Sequence, residues 1–276
     1  MEILSTSDVN ELQRYTVLLY GDNRTGKTHF AGTWPRPLFL TTKIGISEMR
    51  TLADQDFTVV PFHTIDDFKK ASHEISKAVQ KGEAIGAYVP RTIVIDNVTT
   101  AQMVWSEEIK ARRGISKLEW SDWDVVKTAL SYSMVELMRA DVHVMWITHC
   151  RLFTVPDPNN PKDTIIESKL MVQGSARDFL PNHADMLLYA EQVDLGARGS
   201  RWAVYGRKRG PHPAGIRLPT SSHEGWAGVI ESTKEYGACP CYDQLASHFS
   251  LPSVEEDWEA YVKQAEKPAK KKGKAK

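Results

Sequence analysis

The stretch Gly21-Asp22-Asn23-Arg24-Thr25-Gly26-Lys27-Thr28 follows directly on the apolar run Tyr15-Thr16-Val17-Leu18-Leu19-Tyr20. Glycine, four variable residues and Gly-Lys-Thr is the spacing of a phosphate-cradling loop when a strand delivers it and a helix leaves it. Both conditions are met: the preceding run is apolar and β-branched, and Thr28 to Thr33 reads as the start of a helix. Successive backbone N–H groups and the helix N-terminus then converge on one anion. Gly21 and Gly26 permit backbone angles and a phosphate approach that side chains would block. Lys27 brings a mobile charge to the β and γ phosphates, and Thr28 offers a hydroxyl to Mg²⁺, which takes few protein ligands. The expected nucleotide contacts are therefore Gly21, Asp22, Asn23, Arg24, Thr25, Gly26, Lys27, Thr28 and the adjoining His29.

Around this loop, strand-like and helix-like stretches alternate. Tyr15–Tyr20, Leu38–Thr41, Thr58–Pro61, Arg91–Asp96 and Val142–Thr148 are apolar or β-branched runs bounded by breakers. The clearest helix spans Trp120–Arg139, where Trp123, Val126, Leu130, Met134 and Leu137 recur at steps of three and four and define one buried face. Such alternation predicts an α/β fold with a mostly parallel sheet covered on both sides by helices, and a ligand at the strands' carboxyl ends. Beyond Thr148 the pieces shorten to Leu152–Val155, Thr164–Val172, Met186–Ala190 and Arg201–Tyr205, with a hairpin tip at Pro156–Pro161. The expected division is an N-terminal extension (1–14), a nucleotide-binding core (15–220), a small C-terminal segment (221–264) held by Trp226, Tyr242, Phe249, Trp258 and Tyr261, and a disordered Lys-rich tail (265–276).

Net charge is zero, but six lysines and no acid fall within Lys267–Lys276, leaving 29 basic against 35 acidic residues elsewhere. Attraction to nucleic acid must therefore be local, and the tail reads either as a solubilising end or as a sequence-independent contributor to it. Three cysteines, Cys150, Cys239 and Cys241, fit a reducing cytoplasm and form no metal-type pair of pairs. The first residues lack a leader pattern and no apolar run approaches about 18 residues, so neither secretion nor membrane insertion is expected.

The second half of a nucleotide site requires an acid on a neighbouring strand. Thr92-Ile93-Val94-Ile95-Asp96 ends in one, so Asp96 either orders the metal's waters, with Thr28 as its companion on Mg²⁺, or caps the helix expected from Asn97 to Arg112. Val144-Met145-Trp146-Ile147-Thr148-His149 places His149 beyond a third apolar strand, either as a γ-phosphate sensor or as a buried or capping histidine. Arg207-Lys208-Arg209 before Gly210-Pro211 reads as a charge donor to a neighbouring subunit's nucleotide or as a solvated basic turn. A GTPase would carry Asn-Lys-x-Asp, which is not found.

Together these residues resemble the RecA-like P-loop core: Gly21–Thr28 as Walker A, Ile93–Asp96 as Walker B, Trp146–His149 at the sensor position and Arg207–Arg209 as the basic hairpin. Order and spacing are more closely similar to bacteriophage nucleotide-binding proteins that consist of a RecA core alone, some of them single-strand annealing proteins or recombinases, over Tyr15–Leu218. The resemblance implies ATP and Mg²⁺ as cofactors, and a ring or filament of identical subunits with ATP between neighbours. It further implies single-stranded DNA and a phage single-strand-binding protein as partners, in the host cytoplasm. DNA would meet loops at Arg151–Lys169 and Gly174–Ala184, with Arg151, Lys162, Lys169 and Arg177 as phosphate contacts. One departure concerns catalysis: Lys43 stands where such enzymes carry a glutamate, and Glu48, one helical turn on, either substitutes for it or is a surface residue. The function expected is ATP-dependent binding and annealing or strand exchange of single-stranded DNA. The alternative is a nucleotide-gated binding module or replication accessory protein with little hydrolysis.

Overall fold

Every residue of Thr16–Gly21 is buried, as befits a strand covered on both faces. In the computed structural model, which describes residues 14–158, 160, 162–196, 200–217, 226–232, 239–249 and 251–265, this strand, β1, lies at the centre of a ten-stranded sheet. In chain order follow α1 (Lys27–Gly32), β2 (Pro37–Thr42), a 3-10 helix (Gly45–Leu52), β3 (Thr58–Phe62), α2 (Ile65–Gln80), β4 (Thr92–Ile95), α3 (Val98–Arg113) and α4 (Trp120–Met138). The chain continues through β5 (His143–Pro156), β6 (Thr164–Leu170), α5 (Ala176–His183), β7 (Met186–Asp194), β8 (Ser200–Tyr205), β9 (Gly215–Ile216), β10 (Val229–Glu231), α6 (Tyr242–Phe249) and α7 (Val254–Ala265).

The strand order is β10-β8-β7-β1-β5-β4-β2-β3, with β6 paired to β5 and β9 to β7. All pairings from β7 through β1, β5, β4 and β2 to β3 are parallel, and the additions at the β8 side are antiparallel. This is the mostly parallel, helix-flanked sheet that the alternation of strands and helices predicts. The acid-bearing strand β4 is separated from the loop-bearing β1 by β5 alone.

Side chains alternate across the strands, so each strand supplies two cores. Leu18, Tyr20, Leu38, Leu40, Ile93, Ile95, Val144 and Trp146 face one side, against buried residues of α2, α3, α4 and α5. Val17, Leu19, Phe39, Val94, Met145 and Ile147 face the other, against α1, the 3-10 helix and α6. On α4 the predicted face is the observed one: Val126, Leu130, Met134 and Leu137 are buried and Trp123 packs against them. Helix starts have local causes. Thr64 and Asp67 form a capping box on α2, and Asn97 caps α3 by accepting a hydrogen bond from the Thr100 N–H at 2.7 Å.

Two regions differ from the sequence expectation. Val142–Thr148 and Leu152–Val155 are parts of a single strand, β5, because pairing passes from one neighbour to the next: β1 follows it to His149 and β6 takes it over at Cys150. The loops expected at Arg151–Lys169 and Gly174–Ala184 are therefore the β5–β6 hairpin and the segment holding α5. Asn159 and Pro161 of the expected hairpin tip lie outside the described residues. The C-terminal segment, in turn, packs into the main fold: β10 extends the sheet and Tyr242, Leu245, Ala246 and Phe249 enter the second core. Most of the expected N-terminal extension and the Lys-rich tail lie outside the described residues, as does the proposed boundary at 220. No helix among the described residues is long and apolar enough to cross a membrane.

Helix α7 is fastened by charge. Asp257, 2% exposed, receives the Arg91 Nε at 3.0 Å and the Arg14 Nη1 at 2.5 Å. Removing the acid leaves the buried Arg91 guanidinium unpaired, and breaking such pairs costs about 3–5 kcal/mol. Asp257→Ala should lower the unfolding free energy by roughly that amount in a urea titration, well beyond the effect of removing the exposed Lys263–Glu259 pair.

Candidate functional site

Gly21 ends β1 with Ala190 of β7 on one side and His149 of β5 on the other. A methyl group at Gly21 would lie 2.2 Å from the Ala190 carbonyl oxygen, so only glycine lets the chain leave the sheet here. The turn then passes through Arg24 (φ 62°) and Gly26 (φ 76°), both left-handed, before α1 begins at Lys27. The same turn folds the Lys27 side chain inward. Its ammonium donates to the Gly21 carbonyl at 3.2 Å, the Asp22 carbonyl at 2.5 Å and the Thr25 hydroxyl at 3.3 Å.

The Thr28 hydroxyl donates to Asp96 Oδ2 at 2.7 Å, which joins the two halves of the predicted site. Asn97, not Asp96, caps α3. Asp96 is held from behind: its N–H donates to the Leu40 carbonyl at 3.0 Å and its carbonyl accepts the Thr41 hydroxyl. Its second carboxylate oxygen, Oδ1, is buried without a partner. An acid with one oxygen on a threonine hydroxyl and the other unsatisfied is a donor set that fits Mg²⁺.

These groups open into a cavity of about 530 Å³ lined by the loop from Asn23 to His29, by Glu48, Asp96 and His149, and by Trp202 and Cys239. Burial dominates its electrostatics. It pushes the Asp96 carboxyl up to about 7, an effect that neighbouring Glu48 reinforces and that the Thr28 hydrogen bond and Lys27 oppose. The Glu48 carboxyl is likewise raised by desolvation and pulled back by Lys27. Lys27 is lowered by burial against the pull of Asp96. His149 falls to about 4 through burial and the Lys27 charge, so it is a neutral imidazole near neutral pH. Its backbone N–H is fixed by the Thr99 hydroxyl at 3.0 Å, and its Nδ1 is buried without a partner. His29 lies 3.4 Å from the Gln55 amide and is lowered by burial.

The structure thus gathers the loop residues, Asp96, His149 and Glu48 at one cavity. Lys43 is exposed and does not line it; Glu48, on the 3-10 helix that follows, borders it and is itself an exposed residue. Arg207, Lys208 and Arg209 do not line it either. Arg207 stands 5.6 Å from the Trp226 ring, Arg209 lies 3.5 Å from Glu191 and 5.2 Å from the Tyr205 ring, and Lys208 is exposed. Arg151 and Lys169 face one another across the β5–β6 hairpin, Lys169 also meeting Glu167 at 3.1 Å. Arg177 donates to the Val172 carbonyl at 3.3 Å, and Lys162 is exposed near the hairpin turn. Nothing in the local sequence marks Trp202 or Cys239 as a site residue. Trp202 reaches the cavity only because β7 pairs with both β1 and β8, a long-range fact that no local pattern carries.

For Asp96 the folded pKa, about 7, lies above the unfolded 3.8. The folded state therefore holds more protons between those values, stability falls as pH rises through that window, and the full penalty applies above it. Asp96→Asn should raise the unfolding free energy at pH 8, without nucleotide, by an amount on the order of 2–4 kcal/mol that fades towards pH 4. Denaturant titrations across pH check this, and the same variant should lose Mg²⁺-dependent nucleotide binding.

Among solved structures, a KaiC-like protein from the hyperthermophilic archaeon Pyrococcus horikoshii OT3 is similar at 16% identity and a TM-score of 0.42, over 72% of this chain and 82% of that one. The flagellar accessory protein FlaH from Methanocaldococcus jannaschii is similar at 11% identity and a TM-score of 0.36, over 79% of this chain and 84% of that one. No curated protein matches the chain. The sequence model of one family, described as an AAA domain, matches residues 13–218, the span that carries the loop, Asp96, Glu48 and His149. The protein is a P-loop nucleotide-binding protein of the ATPase type, and it belongs to this AAA domain family.

Proposed function

We propose that the protein binds and slowly hydrolyses ATP with Mg²⁺, and that the nucleotide controls its binding of single-stranded DNA in annealing or strand exchange. The observation that carries the nucleotide half is the 2.7 Å hydrogen bond from Thr28 to Asp96, which brings together the residues that would hold the metal. Bound there, Mg²⁺ would supply charge stabilisation to the β and γ phosphates.

Lys27 exchanges its loop carbonyl acceptors for phosphate oxygens, a stronger, charge-assisted interaction. Glu48 borders the cavity and is the group assigned to accept a proton from attacking water, its carboxyl raised by desolvation as suits a general base. Neutral His149 donates or accepts a hydrogen bond at the same wall without adding charge. Glu48 on the wall, with Lys43 outside it, favours turnover over a purely gated binding module.

Support for the DNA half comes from β5. One uninterrupted strand carries His149 at the cavity and Arg151 two residues further, at the root of a hairpin whose apolar side chains Leu152, Phe153, Ile165 and Ile166 are exposed. Arg151 stands opposite Lys169, which already meets Glu167 at 3.1 Å, so the exposed Arg151 is the cation of the two left to take an anionic partner. Phe153 offers a ring for base stacking. Arg207 to Arg209 are assigned to a neighbouring subunit's nucleotide in a ring or filament, and Lys162 and Arg177 to further phosphate contacts. A setting in phage recombination or replication, alongside a single-strand-binding protein, is the one the sequence resemblance supplies.

Turnover measured with and without single-stranded DNA tests both halves. Lys27→Ala should abolish ATP binding, and undiminished affinity would sink the nucleotide reading. Glu48→Gln should keep ATP affinity within a few-fold while turnover falls by about 100-fold or more. Replacing Arg151, Lys162 and Arg177 by Gln should weaken single-stranded DNA binding and reduce the slope of its salt dependence by about one for each phosphate that is no longer neutralised. DNA binding that is absent or insensitive to salt in the wild type would reject that half alone.

A further inference from the structure

We propose that Trp202 is the platform on which the base of the bound nucleotide stacks. The inference rests on the nucleotide reading above and assigns the end of the cavity that the phosphate-binding residues leave unexplained.

The sheet order separates the cavity's two ends. Asp96 comes from the β5–β4 side of β1 and Trp202 from the β7–β8 side, with the glycine-rich loop between them. A nucleotide with its phosphates at Lys27 and Thr28 therefore has the Trp202 side open to its base. The indole lies against the loop. A methyl group built on Gly26 would sit 3.5 Å from Cγ and 3.7 Å from both Cδ1 and Cδ2. Near-equal distances to these three atoms mean approach over the ring face, because the in-plane direction at Cγ is taken by the residue's own Cβ. One face of the ring thus packs over the loop at the residue that precedes Lys27, and the base would stack on the part of the indole that lines the cavity.

The backbone fixes the platform. Trp202 is paired with Gln192 on β7, and the Ser232 N–H donates to its carbonyl at 3.1 Å. The ring is partly buried and its indole N–H has no hydrogen-bond partner in the protein, so the fold gains no polar anchor from having indole here. Cys239, which also lines the cavity, is kept a neutral thiol by burial, which pushes it up to about 11. Among the residues that line the cavity, Trp202 is the one that offers a large aromatic face, beside a loop whose Lys27 and Thr28 suit phosphate. An anionic tail at the loop and a flat aromatic head at the indole is the pairing this wall offers.

Calorimetric titration of the full chain with ATP and, separately, with inorganic tripolyphosphate separates the platform from the loop. Trp202→Ala should weaken ATP by roughly tenfold or more while leaving tripolyphosphate affinity unchanged, and Trp202→Phe should recover most of the loss. Unchanged ATP affinity in Trp202→Ala, with Lys27→Ala still abolishing binding, overturns the platform and spares the loop. Equal loss of ATP and tripolyphosphate affinity in Trp202→Ala assigns the indole a structural role and also overturns it. A wild type that binds neither ligand defeats the nucleotide reading and the platform with it.

Discussion

The parallel pairing of β1 with β5 on one side and β7 on the other is the constraint from which the site follows. It places Gly21 between His149 and Ala190 at a distance that excludes any side chain. Because the chain must turn out of the sheet at that point, the loop forms over the carboxyl ends of three strands at once. β5 then contributes His149, β4 beyond it contributes Asp96, and β7 carries β8 and Trp202 into range. A shift of one residue in the β1–β5 register would turn Leu18 and Tyr20 to the face now occupied by Val17 and Leu19 and misplace both cores. The two hydrophobic layers therefore enforce the geometry of the loop.

Within that frame the site is an unfavourable arrangement that a charged ligand would resolve. Lys27, Asp96 and Glu48 share one partly enclosed cavity, and burial works against the charge on each. Lys27 occupies itself with loop carbonyls, while Asp96 has one oxygen satisfied and one not. A triphosphate carrying a divalent cation supplies acceptors for the lysine and a positive partner for the acid, and its arrival would pull Asp96 back towards the ionised form. The energetic cost built into the folded protein is of the kind that ligand binding removes, which is how a fold can be stable and still bind strongly at one place.

How much of this was legible in the sequence depends on the range of the interaction concerned. The loop, the acid at the end of Thr92–Asp96 and the buried face of α4 are written in local patterns of apolar periodicity and breakers, and each stands where those patterns placed it. His149 was legible as a residue beyond an apolar strand and Leu152–Val155 as a strand piece, but their union in one strand was not, since it depends on β6 taking over the pairing at Cys150. Glu48 borders the cavity from a 3-10 helix, an element that apolar periodicity does not mark, while Lys43 precedes that helix and stays outside. Trp202 was illegible: its approach to Gly26 is fixed by two successive strand pairings and by nothing in its own neighbourhood. The C-terminal segment escaped for a related reason, since β10, α6 and α7 are short and gain their order from the sheet edge, the second core and the Arg91–Asp257 contact.

The same continuity that hid β5 gives it mechanical meaning. Parallel pairing with β1 and β4 holds its first half inside the sheet, and a single antiparallel partner, β6, holds its second half outside. Rigid and exposed halves meet between His149 and Arg151, where the backbone N–H of His149 is tied to Thr99 and the Met171 N–H donates to the His149 carbonyl at 2.7 Å. A change at the cavity that moves His149 has little freedom to dissipate within the sheet, whose packing resists small displacements. The hairpin has few neighbours to resist it. The β6 ladder is thus what keeps the exposed half of β5 in line with the half that carries His149.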